Sequence, residues 1–191
     1  MIFRELRPAL SLVILFTFFL GFLLPAAFTG AMQVTLPSQA NGSLITQNGQ
    51  VIGSALIGQN FTAAKYFEPR PSALSPNPYT SNTSGASNLA PTSATLLKNV
   101  KQNIAAYQKA FGPGTIPADA VTTSGSGLDP DISLANALRQ APAVAAIRKL
   151  PVDTVTNLVT QMTHHAFLGI VGTDHLNVLQ LNLALDQLPA A

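Results

Sequence analysis

The sequence predicts an α+β protein: one N-terminal transmembrane helix followed by a small mixed extracytoplasmic domain. An uncharged, mostly apolar run fills residues 8–28, and Asn48-Gly49 between two apolar stretches predicts a β-hairpin. From residue 94 onward, apolar residues recur with a helical period. We therefore divide the chain into a cytoplasmic N-terminus (1–8), a transmembrane helix (9–29) and an extracytoplasmic domain (30–191).

The N-terminal apolar run is long enough to cross a membrane. A helix of about 20 apolar residues spans the roughly 30 Å of bilayer hydrocarbon. Arg4 and Arg7 precede the run, whereas the first charged residue after it is Lys65. Because positive residues stay on the cytoplasmic side, this asymmetry predicts a cytoplasmic N-terminus.

A cleaved secretory signal is the alternative reading of this segment. Arg4 and Arg7 would form its positive region, and Thr29-Gly30-Ala31 would supply small residues for cleavage. A signal core usually has 7–15 apolar residues, fewer than are found here, so the length favours a retained anchor.

The domain is predicted to alternate strands, loops and helices. The hairpin strands occupy about 43–47 and 50–54, and residues 55–58 extend the second strand. A Ser-, Asn- and Pro-rich loop covers 72–93, and a helix capped by Thr92 or Ser93 covers about 94–110. A loop at 117–130 precedes a helix over 131–141 that Pro142 interrupts, and another helix starts at 151–153. Leu179, Leu181, Leu183 and Leu185 alternate, which predicts a final half-buried strand.

Known catalytic patterns are not found in the sequence. The chain has no cysteine, so it forms neither a disulfide nor a thiolate metal site. It lacks a phosphate-binding glycine loop of the Walker type, and its adjacent histidines, His164 and His165, do not form a helical metal pair. We expect no metal site, no tightly bound cofactor and no catalytic residue, and the near balance of charges from Lys65 onward suggests no nucleic-acid partner.

Four segments carry a whole-chain resemblance. They read GSALIGQNF (53–61) with YFEPRPSA (66–73), GASNLAPT (85–92), VTTSGSGLDP (121–130) with Gln140 downstream, and NVLQLNLALD (177–186). In this order, behind one N-terminal span, the chain resembles the C subunit of the bacterial Kdp potassium-transporting P-type ATPase. Residues 30–191 would then be the KdpC-like domain. Asp131, Pro142-Ala143 and Thr173-Asp174-His175 depart from the usual residues of that family.

The resemblance implies a non-catalytic accessory subunit of a high-affinity potassium uptake complex in the bacterial inner membrane. Its partners would be a potassium-carrying channel-like subunit, the catalytic P-type ATPase subunit and a small membrane subunit. It further implies a catalytic chaperone that raises the ATP affinity of the pump subunit, with Gln140 as a nucleotide contact and ATP reached through the complex. A helix-surface amide is the other reading of Gln140, and a free-standing membrane-anchored periplasmic scaffold is the alternative function.

Residue types and loop composition suggest where partners bind. Tyrosine and arginine are enriched in binding hot spots, and Gly/Ser/Asn-rich loops at 84–92 and 122–130 expose backbone groups for close docking. Phe61 and Phe67 could instead fill the core, and Arg70 could pair with Glu68 or an aspartate. The residues that we assign to partner binding are Tyr66, Phe67, Arg70, Asn88, Gly125, Gly127 and Asp129.

Overall fold

A computed structural model describes residues 2–189, with side chains from Arg4 onward. Met1 of the predicted N-terminal segment and residues 190 and 191 of the predicted domain lie outside the described residues. The chain divides into two compact units between Leu44 and Ile45, and each is described separately. The mixture of helices and strands agrees with the predicted α+β class.

The first unit is dominated by one continuous helix. It consists of α1 (Ile2–Phe18), a π-helical turn (Phe19–Leu23) and α2 (Leu24–Thr35), and a short helix α3 (Pro37–Ala40) follows. The helix over Arg4–Thr35 is long enough to cross a membrane, and no residue of its most apolar 18-residue window is buried within the protein. The predicted span therefore lies inside a helix whose surface is free to meet lipid.

A β-hairpin follows the first unit. Strands β1 (Leu44–Gln47) and β2 (Gln50–Ser54) pair across Asn48 and Gly49, whose φ angles are 52° and 77°. Positive φ at both turn residues is the geometry that favours Asn-Gly, so this prediction is confirmed. The predicted extension over 55–58 is wrong, because the chain turns there and the Gly58 amide instead donates to the Leu128 carbonyl at 2.8 Å.

The second unit also contains the helices and strands that follow the hairpin. They are α4 (Ala94–Phe111), a 3₁₀ turn (Ala118–Ala120), β3 (Asp131–Ser133), α5 (Leu134–Arg148), α6 (Val152–Gln161), β4 (His175–Asn177) and α7 (Val178–Asp186). Ser93 caps α4 by accepting a hydrogen bond from the Leu96 amide, as one of the two predicted caps. The core joins buried side chains of β3, α5, α6, β4 and α7 around Phe67.

Three predictions in the second half of the chain are wrong: the start of the helix at 131, its interruption at Pro142 and the final strand. Residues 131–133 form strand β3, antiparallel to β4, and Ser133 caps the helix that follows. Pro142 does not interrupt this helix, because it lies on the exposed face near exposed Leu138, whose carbonyl loses its helical partner where water can reach it. The leucines of 179–185 lie on helix α7, because Asn177 caps a helix and Val178, Leu181 and Leu185 share its buried face.

Candidate functional site

The extended segment 66–70 is held by two buried carboxamides. The Asn182 side chain, on α7, accepts from the Phe67 amide at 2.8 Å and donates to the Phe67 carbonyl at 3.0 Å. The Gln140 side chain, on α5, accepts from the Glu68 amide at 2.7 Å and donates to the Glu68 carbonyl at 3.1 Å. Each amide thus pairs with the backbone as a neighbouring strand would. We call these two pairs the carboxamide clasp.

Gln140 continues from the clasp into a buried polar network. Its Nε2 also donates to Asn136 Oδ1 at 3.0 Å, and the same oxygen accepts from the Tyr107 hydroxyl at 2.9 Å. Asn136 Nδ2 donates to Asp119 Oδ2 at 3.1 Å. Burial raises the pKa of Tyr107 to about 12, so its hydroxyl stays protonated as a donor. Gln140 is only 1% exposed, so the reading of it as a helix-surface amide is wrong.

The aromatic residues of the segment differ in their surroundings. The Phe67 ring is completely buried in the core, which is one of the two readings open from the sequence. Tyr66 is half-buried, and its hydroxyl donates to Asp186 at 2.9 Å while the Arg148 guanidinium lies 5.0 Å from its ring. A partner would therefore meet this segment through Tyr66 and its neighbours, because the Phe67 ring is already covered.

Arg70 joins the segment to the second Gly/Ser-rich loop. Its Nη1 lies 2.7 Å from Asp129 Oδ2, so the arginine pairs with an aspartate and not with Glu68. Asp129 Oδ1 also accepts from the Asp131 amide at 3.1 Å, and the Tyr79 hydroxyl donates to the Arg70 carbonyl. Burial raises the pKa of Tyr79, with Asp129 acting in the same direction, so this hydroxyl remains a donor.

The two Gly/Ser/Asn-rich loops meet directly. The Gly85 amide donates to the Ser126 carbonyl at 2.8 Å, and Ser72 Oγ donates to the Gly127 carbonyl at 2.7 Å. Gly127 has φ of +70°, and an added Cβ would lie 2.8 Å from Leu74 Cγ and 2.9 Å from the Gly85 carbonyl oxygen. We call residues 84–88 and 124–127 the loop platform.

Within the loop platform, the predicted partner-binding residues separate into two kinds. Asn88 and Gly125 are exposed, and a Cβ added at Gly125 would meet open space. Gly127 is buried where the loops cross, so it lies under the platform surface and does not expose its backbone as we predicted. Asn88 adopts a positive φ of 50°, which asparagine tolerates better than most residues.

Comparison with known proteins identifies the family. The family model of KdpC, described as the K⁺-transporting ATPase c chain, matches residues 6–187. The chain belongs to the KdpC family. It is 48% identical over 182 residues to the potassium-transporting ATPase KdpC subunit of Allorhizobium ampelinum, covering 95% of each chain.

Other relatives match over nearly their full lengths. The KdpC subunit of Gemmatimonas aurantiaca is 49% identical over 188 residues, which is 98% of this chain and 94% of that protein. The KdpC subunit of Mycobacterium tuberculosis is 48% identical over 188 residues, covering 97% and 99% respectively. The predicted whole-chain resemblance is thus confirmed.

Two of the predicted departures from the KdpC pattern face each other in this chain. Asp131, on β3, and His175, on β4, approach to 4.0 Å between Oδ2 and Nε2. Burial raises the pKa of Asp131, and the nearby His175 opposes that shift. His175 also stacks on His164, with ring centroids 5.5 Å apart. The two residues therefore form one local pair.

An exposed apolar turn in this KdpC-family chain was not predicted from its sequence. Phe167 and Val171 form an isolated bridge, and Leu168 and Ile170 between them are 77% and 82% exposed. An uncharged run at 166–173, between His165 and Asp174, was the available signal. Exposed apolar groups on a turn are typical of contact sites. Among the described residues, no group of three or more histidine, aspartate or glutamate side chains could hold a metal ion.

Proposed function

We propose that this chain is a non-catalytic accessory subunit of a high-affinity, ATP-driven potassium uptake complex. The observation that carries the proposal is the KdpC match over residues 6–187, together with relatives named as potassium-transporting ATPase subunits. Its partners are a potassium-carrying channel-like subunit, a P-type ATPase subunit in which ATP hydrolysis takes place, and a small membrane subunit. The chain assists and stabilises their assembly.

The proposed location is a bacterial inner membrane, with residues 9–29 as the single span, residues 1–8 in the cytoplasm and the domain outside. Arg4 and Arg7 before the apolar helix support this orientation.

Single cysteines test this orientation. Because the chain has no cysteine, a cysteine introduced at one position is the only thiol that can be labelled. In intact spheroplasts, an impermeant maleimide labels Gln108→Cys, on the exposed surface of α4, and leaves Leu6→Cys unlabelled until the membrane is opened. The reverse labelling pattern contradicts this orientation.

The loop platform is the proposed docking surface for the potassium-carrying partner. Its support is geometric: Asn88 and Gly125 are exposed, while the hydrogen bond between Gly85 and Ser126 and the packing of Gly127 fix the loops beneath them. A surface that is already ordered loses little conformational entropy on binding. Arg70 is paired with Asp129, two residues beyond this surface, and Tyr66 holds the other end of segment 66–70 to Asp186.

A bulky side chain tests this docking surface. Gly125→Trp should abolish co-purification with the partners and leave the far-ultraviolet circular dichroism unchanged, because Gly125 borders open space. Gln108→Trp is the matched control on exposed α4 and should co-purify normally. Asn88→Gly, which keeps the positive φ accessible, separates backbone strain from steric effects in an Asn88→Trp variant. Normal co-purification of both tryptophan loop variants would place the docking surface elsewhere.

The family resemblance predicts Gln140 as a nucleotide contact, whereas we propose that its effect on ATP affinity is indirect. Its amide is bonded at both ends, to Glu68 and to Asn136, and it is almost fully buried. An effect on the pump subunit would then pass through segment 66–70. If so, Gln140→Leu raises the KM for ATP of the complex, while a photoreactive ATP analogue labels this chain in neither variant nor wild type. Labelling of the wild-type chain at Gln140 would instead support direct contact.

A further inference from the structure

A cavity of about 500 Å³ lies beside segment 66–70, between the 60–62 and 78–79 loops and helix α4. It is separate from the exposed residues of the loop platform, Asn88 and Gly125, and the Gln140 side chain does not line it. Its lining is polar and aromatic: Asn60, Phe61, Glu68, Tyr79, Asn103 and Tyr107 all contribute.

Glu68 brings an uncompensated negative charge to this cavity. Gln140 holds both backbone groups of Glu68, which fixes the base of its side chain at the cavity wall. Among the side chains described from residue 4 to 189, none hydrogen-bonds to its carboxylate or pairs with it as a cation. Arg70 also lines the cavity, but it pairs with Asp129 at 2.7 Å. Burial raises the pKa of Glu68, the expected response of a half-buried carboxylate with no counter-ion.

Three other polar groups of the cavity have their donors committed elsewhere. The Tyr79 hydroxyl donates to the Arg70 carbonyl, and the Tyr107 hydroxyl donates to Asn136 Oδ1. Asn103 Nδ2 donates to the Val121 carbonyl at 2.9 Å. These three groups therefore leave oxygen acceptors for a ligand. A ligand that brings its own N–H donors and a positive charge is complementary to this lining.

The aromatic rings add a second attraction for cations. Phe61, Tyr79 and Tyr107 line the cavity together with Pro69, Pro71 and Pro78. The face of an aromatic ring attracts ammonium and guanidinium groups, and this attraction is stronger where water is partly excluded. Proline rings give apolar surface against which an alkyl chain can lie.

We propose that this cavity binds an organic cation, an alkylammonium group, with Glu68 as its counter-ion and the tyrosine rings as its walls. The cation can arrive as a free diamine or as the lysine side chain of a partner subunit, because both present a primary ammonium group. Gln140 positions Glu68 from behind but does not itself line the proposed site.

A calorimetric titration of the full-length chain in mild detergent tests whether a free organic cation binds in the cavity. We expect 1,4-diaminobutane to give a saturable calorimetric signal and uncharged 1,4-butanediol to give none. Glu68→Gln should weaken diamine binding about tenfold or more, the range expected when a charge-assisted bond is lost. Asp153→Asn removes an equal charge from the exposed start of α6, so it is the matched control and should bind as wild type does. Unchanged thermal unfolding midpoints show that both variants remain folded.

Carbodiimide treatment of the membrane-bound complex tests whether a lysine of a partner subunit occupies the cavity. The reagent activates the Glu68 carboxylate, and a neighbouring lysine amine displaces the resulting urea to leave an amide bond between the chains. A cross-linked Glu68 peptide without diamine binding assigns the cation to a partner lysine, and diamine binding without a cross-link assigns it to a free ligand. Equal weakening in Glu68→Gln and Asp153→Asn, or the absence of both diamine binding and a cross-link, overturns the proposal.

Discussion

The Gln140 carboxamide pairs with both backbone groups of Glu68, a residue 72 positions earlier in the chain. Asn182 makes the equivalent pair with Phe67 over 115 positions. Helices α5 and α7 thereby satisfy an extended segment that has no strand neighbour of its own. Buried backbone groups must be paired, so these two amides determine where the segment runs.

Replacing Gln140 by leucine should destabilise the protein. The substitution keeps the approximate volume but leaves the Glu68 amide and carbonyl without partners, at a cost of about 1–3 kcal/mol for each unsatisfied group. Chemical unfolding in urea, followed by circular dichroism of the detergent-solubilised chain, measures the loss. Gln108→Leu on exposed α4 is the control and should stay within about 0.5 kcal/mol of wild type. Equal stabilities of the two variants would refute a structural role for the clasp.

Replacement by alanine should destabilise the protein at Gly127 and leave its stability nearly unchanged at Gly125. At Gly127 a methyl group would lie 2.8 Å from Leu74 Cγ at a positive φ, so we expect a loss of about 1–3 kcal/mol. At Gly125 the same methyl group meets open space, and the change should be within about 0.5 kcal/mol. Thermal unfolding of both variants distinguishes them. A tolerated alanine at Gly127 would mean that the loops do not pack as described.

Short motifs with specific backbone requirements correctly predicted two elements, the hairpin and α4. Asn48-Gly49 demands positive φ at two residues, and Ser93 precedes a periodic run, so the hairpin and α4 were predictable. Alternating leucines at 179–185 were misleading, because a strand and a helix can both bury part of such a run. Asn177 followed by Val178, Leu181 and Leu185 was the helical signal that decided the structure.

The candidate site was less predictable than the fold. Tyr66, Arg70 and Asp129 were selected for their residue types, and the salt bridge between Arg70 and Asp129 was one of the alternatives. The carboxamide clasp was missed because its partners are 72 and 115 positions apart, beyond the reach of any local pattern. Gly127 was taken for a surface glycine because loop composition does not reveal which residue lies where two loops cross.

The Asp131 carboxyl group should lower the stability of the protein as the pH rises. Burial raises its pKa in the folded state above the value in the unfolded chain, so the folded state binds the proton more tightly. Its contribution is therefore favourable below the unfolded pKa and is lost as the pH rises through the raised folded pKa. His175, Asp129 and His164 are the charged or titratable neighbours of Asp131.

Asp131→Asn removes this dependence. We expect a higher unfolding midpoint than wild type at neutral pH, with the difference shrinking toward pH 4, near the ordinary aspartate pKa. Asp153→Asn, at an exposed carboxylate, is the control and should follow wild type at each pH. Thermal scans from pH 4 to pH 8 measure the effect, and a constant difference across that range would contradict it.

An aspartate within the apolar helix should hinder membrane insertion. Leu15→Asp and Phe19→Asp each place a charge near the middle of the predicted span, at roughly 2.5–3.5 kcal/mol on insertion scales. We expect less of each variant in the carbonate-resistant membrane fraction, and no change for Leu15→Val. Wild-type membrane yield of both aspartate variants would show that this helix is not the anchor.

Co-purification tests the central claim most directly. The chain, tagged at its C-terminus and expressed at its native level under potassium limitation, is extracted in mild detergent and its companions are identified by mass spectrometry. The account predicts a channel-like potassium subunit and a P-type ATPase subunit in fixed ratio to the chain, with potassium-stimulated ATP hydrolysis in the eluate. Recovery of the tagged chain without either subunit would contradict the account and favour a free-standing membrane-anchored scaffold.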